Sequence, residues 1–280
     1  MNTALLFNGQ IVSAEEYKPE KHGHRLFCID KNCKVPLIFV ARGEREAHFK
    51  TTGKADSKHV SGCGFYEPLG VLQAIKKVAE YQEDLLKKGV KETVIRVNLN
   101  KLDPDYEPKG IERNPKEDTE EDRVEIKPKN ENKQPGTITS VKTVAKLLTS
   151  YEPDLLASIL LSIGGGRKVP LSSLIVDHVT AHKMLWSESA INTGYFVYGT
   201  ISKVTRLEKV IYIDFEKIDD IGFTLVVFEK YFKYFTLKDK DLVGFDVLVY
   251  GMLKKNEHKG KNSTEFLIKS NKYIEKIRKL

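Results

Sequence analysis

The sequence predicts an α+β protein built from several modules, and three observations lead to that prediction. All three cysteines of the 280 residues lie between positions 28 and 63. The stretch 103–135 is rich in charge and proline and almost free of large apolar side chains. Five β-rich runs follow one another between 194 and 270. We therefore divide the chain into segments 1–100, 101–137, 138–192 and 193–280, of which the second is a flexible linker.

The first segment carries a metal-ligand pattern. Four residues separate Cys28 from Cys33, and three separate His59 from Cys63. Two short ligand pairs on either side of a hairpin-length stretch are typical of a structural, tetrahedral Zn²⁺ site with three cysteines and one histidine. His48 is an alternative fourth ligand. Such a closed set leaves no position for a substrate, so the ion is expected to hold a small module together.

The elements around these ligands are short. Ala4–Phe7 and Ile11–Val12 flank the turn Asn8-Gly9, which predicts a β-hairpin. The stretches 35–41 and 47–49 predict a second pair of strands that places the two ligand pairs at the base of a small sheet. Apolar residues recur at helical spacing over 67–88, after which 93–99 alternates as a strand and completes the module.

The same segment resembles a known family. The leading pair Cys28 and Cys33, a short hairpin, His48-Phe49 and the closing His59 and Cys63 are similar to the N-terminal zinc-finger region of CoiA-like competence proteins. The resemblance covers about the first third of the chain. It implies zinc binding and a role in bacterial DNA uptake, repair, mobile-element biology or defence against phage.

Proteins with that zinc region often continue into a restriction-endonuclease-like core. Such a core needs an Asp on one strand and a Glu-x-Lys on the next to hold Mg²⁺. Glu125-Ile126-Lys127 lies in the predicted linker, and Asp214 to Lys217 lies in a different module. We therefore expect a non-catalytic protein and keep a metal-dependent nuclease as an alternative.

The third segment predicts helices over 139–149, 153–163 and 171–186, because apolar residues mostly recur there at three and four. Between the second and third, three glycines precede Arg167 and Lys168. Exposed backbone N–H groups beside two cations suit a phosphate, but the Gly-Lys-Ser/Thr ending of a nucleotide-binding loop is absent. A flexible turn between helices is the alternative interpretation.

The last segment predicts a five-stranded OB-fold β-barrel. The runs YFVYGTISKVTRL, VIYIDFE, FTLVVFE, DVLVYGML and EFLIKS are β-rich, and the stretch between the third and fourth can form a short helix. This is the element order of the OB-fold, a small Greek-key barrel that binds oligonucleotides or oligosaccharides. The stretch DLVGFDVLVYGMLKK also resembles OB-fold nucleic-acid-binding modules, over about 194–277.

Aromatic and basic residues alternate in this segment, a pattern typical of single-strand binding by base stacking and phosphate contacts. Barrel alternation places about half of the rings in the core; we predict that Tyr198, Tyr212 and Tyr231 are exposed. The stretch 254–261 is expected to be a flexible basic loop. The predicted contact residues are Tyr198, Lys203, Arg206, Tyr212, Tyr231, Lys233, Lys254, Lys255, Lys259 and Lys261, with Arg167 and Lys168.

Charge indicates the class of partner. The formal net charge is +7, and acidic residues outnumber basic ones in 101–137, so the rest of the chain is more basic than the total. This favours a polyanionic partner, single-stranded DNA above all, and a partner protein from the same pathway is the alternative. The N-terminus lacks signal-peptide features, no apolar run is long enough to cross a membrane, and the cysteines suit a reducing compartment. We therefore expect a cytoplasmic protein with no membrane contact.

Overall fold

The strands of the described residues form three sheets. The computed structural model describes residues 1–54, 56–87, 92–107, 137–163, 166–258 and 260–277. It is a mixed α/β structure with few helices. The six α-helices are α1 (Pro19–His22), α2 (Val71–Lys87), α3 (Val141–Ser150), α4 (Pro153–Ala157), α5 (Leu171–Leu174) and α6 (His178–Trp186).

The first sheet contains the metal-ligand pattern. Its strands are β1 (Thr3–Leu6), β2 (Ile11–Ser13), β3 (Leu26–Phe27), β4 (Pro36–Val40) and β5 (His48–Lys50), in the order β2-β1-β3-β4-β5. The predicted hairpin is confirmed, with Ala4 opposite Val12, and so is the antiparallel pair β4 and β5. Tyr17, Phe39 and Phe49 pack together in a small apolar cluster that belongs to this sheet.

A second sheet joins residues from both sides of the predicted linker. Its strands are β6 (Thr93–Val97), β7 (Thr137–Ile138), β8 (Ile159–Ile163) and β9 (Arg167–Pro170), in the order β7-β6-β8-β9. β6 is parallel to both of its neighbours. The predicted helix at 67–88 is confirmed as α2, whose buried Gln82 amide donates to the carbonyls of Ala157 and Ile159.

The helical interpretation of 138–192 is wrong in part. The second predicted helix ends at Ala157, and Ile159–Ile163 is strand β8 instead. A short apolar run fits a helix or a buried strand equally well, and here parallel pairing with β6 satisfies its backbone. The third predicted helix is in fact two short helices, α5 and α6, separated by strand β10 (Ile175–Asp177). β10 pairs with a strand of the third sheet.

The third sheet curls around an aromatic core. Its strands are β10, β11 (Gly194–Arg206), β12 (Val210–Phe215), β13 (Gly222–Phe228), β14 (Asp246–Met252), β15 (Lys254–His258), β16 (Lys261–Leu267) and β17 (Ile274–Lys276). The order is β15-β16-β13-β12-β11-β14-β17, with β10 also on β11. Only Leu253 separates β14 from β15 along the chain. Because β14 lies near one end of the strand order and β15 at the other, this short connection brings the two ends of the sheet together. Inside, the Phe223 ring meets the Phe215 and Phe266 rings edge-on at 5.1 and 5.2 Å.

Two stretches predicted to be flexible are ordered. Lys254–His258 is strand β15 and pairs antiparallel with β16, which begins at Lys261, so the described part of this basic stretch is a pair of strands rather than a loop. β15 is the edge strand of its sheet, and edge strands commonly carry charged side chains. The start of the predicted linker also packs, because Lys269 Nζ lies 2.6 Å from an Asp103 oxygen and Ser270 donates to the Leu102 carbonyl.

One apolar cluster begins at Ile29, next to the metal ligand Cys28, and runs through the second and third sheets to Ile277. The predicted boundaries at 100, 137 and 192 remain a prediction, although β6 from the first segment is hydrogen-bonded to strands that follow the linker. Most of that linker, 108–136, lies outside the described residues, as do the candidates Glu125 and Lys127. Within the described residues, no helix has the length and apolarity needed to cross a membrane.

Candidate metal centre and nucleic-acid face

Four side chains converge at the base of the first sheet. Cys28 follows β3 directly, Cys33 ends the turn that leads to β4, and His59 and Cys63 lie in the loop after β5. Their ligand atoms all lie within 4.8 Å of one another. Cys28 Sγ is 3.8 Å from Cys63 Sγ, and His59 Nδ1 is 3.4 and 3.5 Å from Cys33 Sγ and Cys63 Sγ. The cluster is a possible metal site with three sulfur donors and one nitrogen donor.

His59, and not His48, belongs to this cluster. His48 lies on β5, opposite Val40, and its Nδ1 is 2.9 Å from the Glu46 carbonyl oxygen. The choice between the two histidines, which spacing left open, is decided by the path of the loop after β5. That loop carries His59 and Cys63 back to the first ligand pair.

The three thiols of the cluster differ in pKa, and burial raises the pKa of Cys33. The hydrogen bond that Cys28 and Cys63 share raises the pKa of the Cys28 thiol and lowers the pKa of Cys63 to about 7. Burial lowers the pKa of His59, which keeps its imidazole neutral at neutral pH. A thiolate and a neutral imidazole are the forms that bind a metal ion.

Asp30 connects this cluster to α2. It is fully buried, and one carboxylate oxygen accepts from the Gly64 N–H at 3.2 Å, Lys77 Nζ at 2.7 Å and the Tyr81 hydroxyl at 2.6 Å. Its other oxygen accepts from the Asn32 N–H at 3.0 Å. Burial opposes ionisation, but these hydrogen bonds, first those from Lys77 and Tyr81, hold the pKa of Asp30 below its usual value. The carboxylate therefore ties both ligand loops to the helix.

Sequence reasoning missed Asp30. The available signal was the position of Lys77 and Tyr81, which lie four apart on one face of α2 and bring a cation and a hydroxyl to one point. A helix face that combines two such groups with apolar neighbours indicates a buried anion on another element.

The third sheet presents a second candidate site on its convex side. Inward residues of β12, β13 and β16 are buried, and their alternate neighbours point outward. We call these neighbours the outer face: Tyr212, Asp214, Thr224, Val226, Phe228, Glu265 and Leu267. Tyr212 pairs with Val226, and Val226 with Leu267, which forms an apolar row across three strands whose middle residue, Val226, is only 5% exposed. Phe228, 48% exposed, lies diagonally from Tyr212.

The predicted contact residues are divided between several surfaces. Lys203 lies opposite Asp214 at one side of the outer face, and Lys254 lies opposite Glu265 at the other. Lys233 is exposed beside the Tyr234 ring, and Lys255 lies over the Trp186 ring at 5.2 Å. Lys261 is exposed at the start of β16, and Lys259 lies outside the described residues. Arg167 and Lys168 are exposed on β9, an edge strand of the second sheet.

The predicted exposure of Tyr231 is wrong. The side chain is 2% exposed, and its hydroxyl donates to Asp105 at 2.5 Å while Lys269 lies over the ring. It lies in a short 3₁₀ helix after β13 rather than on a strand, so strand alternation does not apply to it. Tyr198 is half-buried where β10 pairs with β11, and burial raises its pKa.

Arg206 is exposed but already has partners. Its Nε donates to Asp239 and its NH2 group to the Leu237 carbonyl, both at 2.7 Å. A phosphate would have to compete with these partners. The outer face also contains Phe228 and Glu265, which sequence reasoning overlooked, and Asp214, which it considered only as a carboxylate of a nuclease. The strand register was needed to find them, since only the register shows that they share a face with Tyr212.

Comparisons with known proteins give little further information. No protein-family model and no curated protein matches the chain. Among solved structures, an OBody bound to hen egg-white lysozyme is similar to 31% of this chain and 82% of its own, at 16% sequence identity and a TM-score of 0.23.

Proposed function

We propose that the chain is a non-catalytic protein that binds single-stranded DNA across the outer face of an OB-fold barrel. The strand pairing supports this. β11 is antiparallel to β12 and β14, β12 to β13, and β13 is parallel to β16. Counted as OB-fold strands, β12 and β13 are the second and third, whose outward side is the usual binding surface of the fold.

The observation that carries the proposal is the exposed aromatic surface on those two strands. Phe228 is about half exposed, and the Tyr212 ring is partly exposed beside it. Single exposed rings occur elsewhere on this chain, such as Phe7, but Phe228 and Tyr212 are neighbours on one face, and each ring offers a base about 1–3 kcal/mol of stacking. Lys203 and Lys254 flank the face without an ion pair among the described residues, so they are available to phosphates.

We also propose that the ion of the metal centre is Zn²⁺ in a structural role. With Zn–S bonds of about 2.3 Å and a Zn–N bond of about 2.0 Å, tetrahedral geometry separates two sulfurs by about 3.8 Å and a sulfur from a nitrogen by about 3.5 Å. Three of the six donor–donor separations, 3.8, 3.4 and 3.5 Å, fit those values, and all six are within 4.8 Å. Four protein donors complete the coordination, and Asp30 holds their loops, which fits a structural ion.

The experiment is a binding titration with a fluorescently labelled single strand, monitored by anisotropy at several salt concentrations. We expect affinity to fall as salt rises, because phosphate contacts release counterions. Phe228→Ala should weaken binding at least about fivefold, which corresponds to the lower end of the stacking range. Phe245→Ala is the matched control, since Phe245 is 43% exposed and beside a lysine but outside the outer face. No binding at low salt, or equal effects of the two variants, would refute the proposal.

A protein partner is the second candidate, and the charge of the outer face favours it. Asp214 and Glu265 balance Lys203 and Lys254 there, so this face is less basic than the whole chain. A scaffold role predicts that nuclease-treated lysate yields the same partner with the wild-type protein and Phe245→Ala but not with Phe228→Ala. Under the DNA-binding proposal, nuclease treatment removes such partners.

A further inference from the structure

The outer face carries a row of polar residues beside its apolar row. In register across five strands lie Lys203 on β11, Asp214 on β12, Thr224 on β13, Glu265 on β16 and Lys254 on β15. We call this the polar row. The Thr224 hydroxyl donates to Asp214 Oδ1 at 2.7 Å, and the Asn256 amide donates to Glu265. Both carboxylates are thus oriented by a neighbouring strand while remaining partly exposed.

The oriented carboxylates retain acceptor capacity. An ionised carboxylate has about four lone-pair positions. Asp214 Oδ2 has no hydrogen-bond partner among the described residues. One strand, β13, lies between Asp214 on β12 and Glu265 on β16, and two inter-strand spacings place their Cα atoms about 10 Å apart. Each carboxylate is therefore positioned to accept a hydrogen bond from a different group on a ligand.

The order of charges along the polar row opposes a bound strand whose phosphates lie over the middle of the row. Phosphates placed over the middle of the row would meet two anions, whereas phosphates at its ends would meet Lys203 and Lys254. Tyr212 lies next to the row, two residues from Asp214 on the same face of β12, whereas Phe228 lies one step further away, beyond Val226. A base stacked on the Tyr212 ring would therefore direct its polar edge toward the row, with Asp214 nearest, and Glu265 would face a base bound further along the row.

Carboxylates accept hydrogen bonds and cannot donate them, so they discriminate between bases. Cytosine presents an amino group at C4, whereas thymine and uracil present a carbonyl oxygen that an anion repels. Resting on the proposed DNA-binding function, we infer that Asp214 and Glu265 read base edges and give the protein a preference for amino-bearing bases, with cytosine favoured over uracil and thymine.

The test compares labelled single strands of twelve deoxycytidines and twelve deoxyuridines at pH 8, where cytosine is unprotonated. The two bases are equal in size and differ in the donor and acceptor pattern of the edge that includes position 4. We expect the wild-type chain to bind the cytidine strand about tenfold more tightly. Asp214→Asn and Glu265→Gln should each reduce that ratio several-fold, because an amide can offer either a donor or an acceptor. Asp219→Asn is the matched control, since Asp219 is exposed and lies outside the polar row.

The outcomes separate the two proposals. Binding of neither strand would overturn the DNA-binding function, and this inference with it. Equal binding of both strands, or tighter binding of the uridine strand, would overturn base reading and leave DNA binding intact. A cytidine preference that persists in both Asp214→Asn and Glu265→Gln would also overturn the assignment. If one variant fails to fold, the wild-type ratio and the second variant still decide the question.

Discussion

Replacing Asp30 by asparagine should strongly destabilise the attachment of the metal centre to α2. The carboxylate is fully buried and accepts four hydrogen bonds, including one from Lys77, which is 16% exposed. An asparagine in the same rotamer must turn its NH₂ group toward either the Asn32 N–H or the three donors on the other side. In either orientation the NH₂ group faces another hydrogen-bond donor, and the Lys77 ammonium loses its buried anion.

The free energy of unfolding should fall by about 3–5 kcal/mol, the range for removing one partner of a buried, hydrogen-bonded ion pair. Urea unfolding of the metal-saturated protein, monitored by far-ultraviolet circular dichroism, measures this free energy. Glu80→Gln is the matched control, because Glu80 also pairs with Lys77, at 3.2 Å, but is 29% exposed. It should change the free energy of unfolding by less than about 1 kcal/mol. Equal effects of the two variants would refute the view that Asp30 is the main link.

Three further predictions concern other parts of the chain. Cys28→Ser should abolish metal binding and remove hydrogen-exchange protection from β1–β5 while the strands of the third sheet stay protected, since the first sheet has its own apolar cluster. Gly199→Ala should lower stability by about 1–3 kcal/mol in thermal melts, because a Cβ there would lie 2.7 Å from the Phe215 ring; Gly43→Ala, with nothing within 4 Å, should be neutral. Burial lowers the pKa of His182 below its unfolded value of about 6.5, so its contribution to stability is present above that pH and is lost as the pH falls through the folded pKa. His182→Gln should accordingly reduce the fall in melting temperature between pH 7 and pH 5.

The metal ligands could be predicted from sequence because their chemistry is local. Cys28 with Cys33, and His59 with Cys63, are pairs whose spacing restricts both members to one turn, so each pair forms half a site by itself. The choice of His59 over His48 depended on the path of the loop after β5, which no spacing rule contains.

The error at Ile159–Ile163 has a physical cause. The run ILLSI is apolar except for Ser162 and is too short to show a period that could distinguish a strand from a buried helix. Its conformation is determined by β6, which precedes it by more than sixty positions and offers a free edge. The exposure of Tyr231 was unpredictable for a similar reason, since its partners Asp105 and Lys269 come from distant parts of the chain.

The position of β6 between β7 and β8 also determines how the chain would respond to a cut. β6 is hydrogen-bonded on one side to residues 137–138 and on the other to residues 159–162. Lys269 adds ion pairs to Asp103 and Asp105. A single peptide-bond cleavage between 108 and 136 would therefore yield two fragments that share a sheet and a core. They should co-elute as one non-covalent complex under native conditions and separate only in denaturant, so the protein is suited to division into complementing halves.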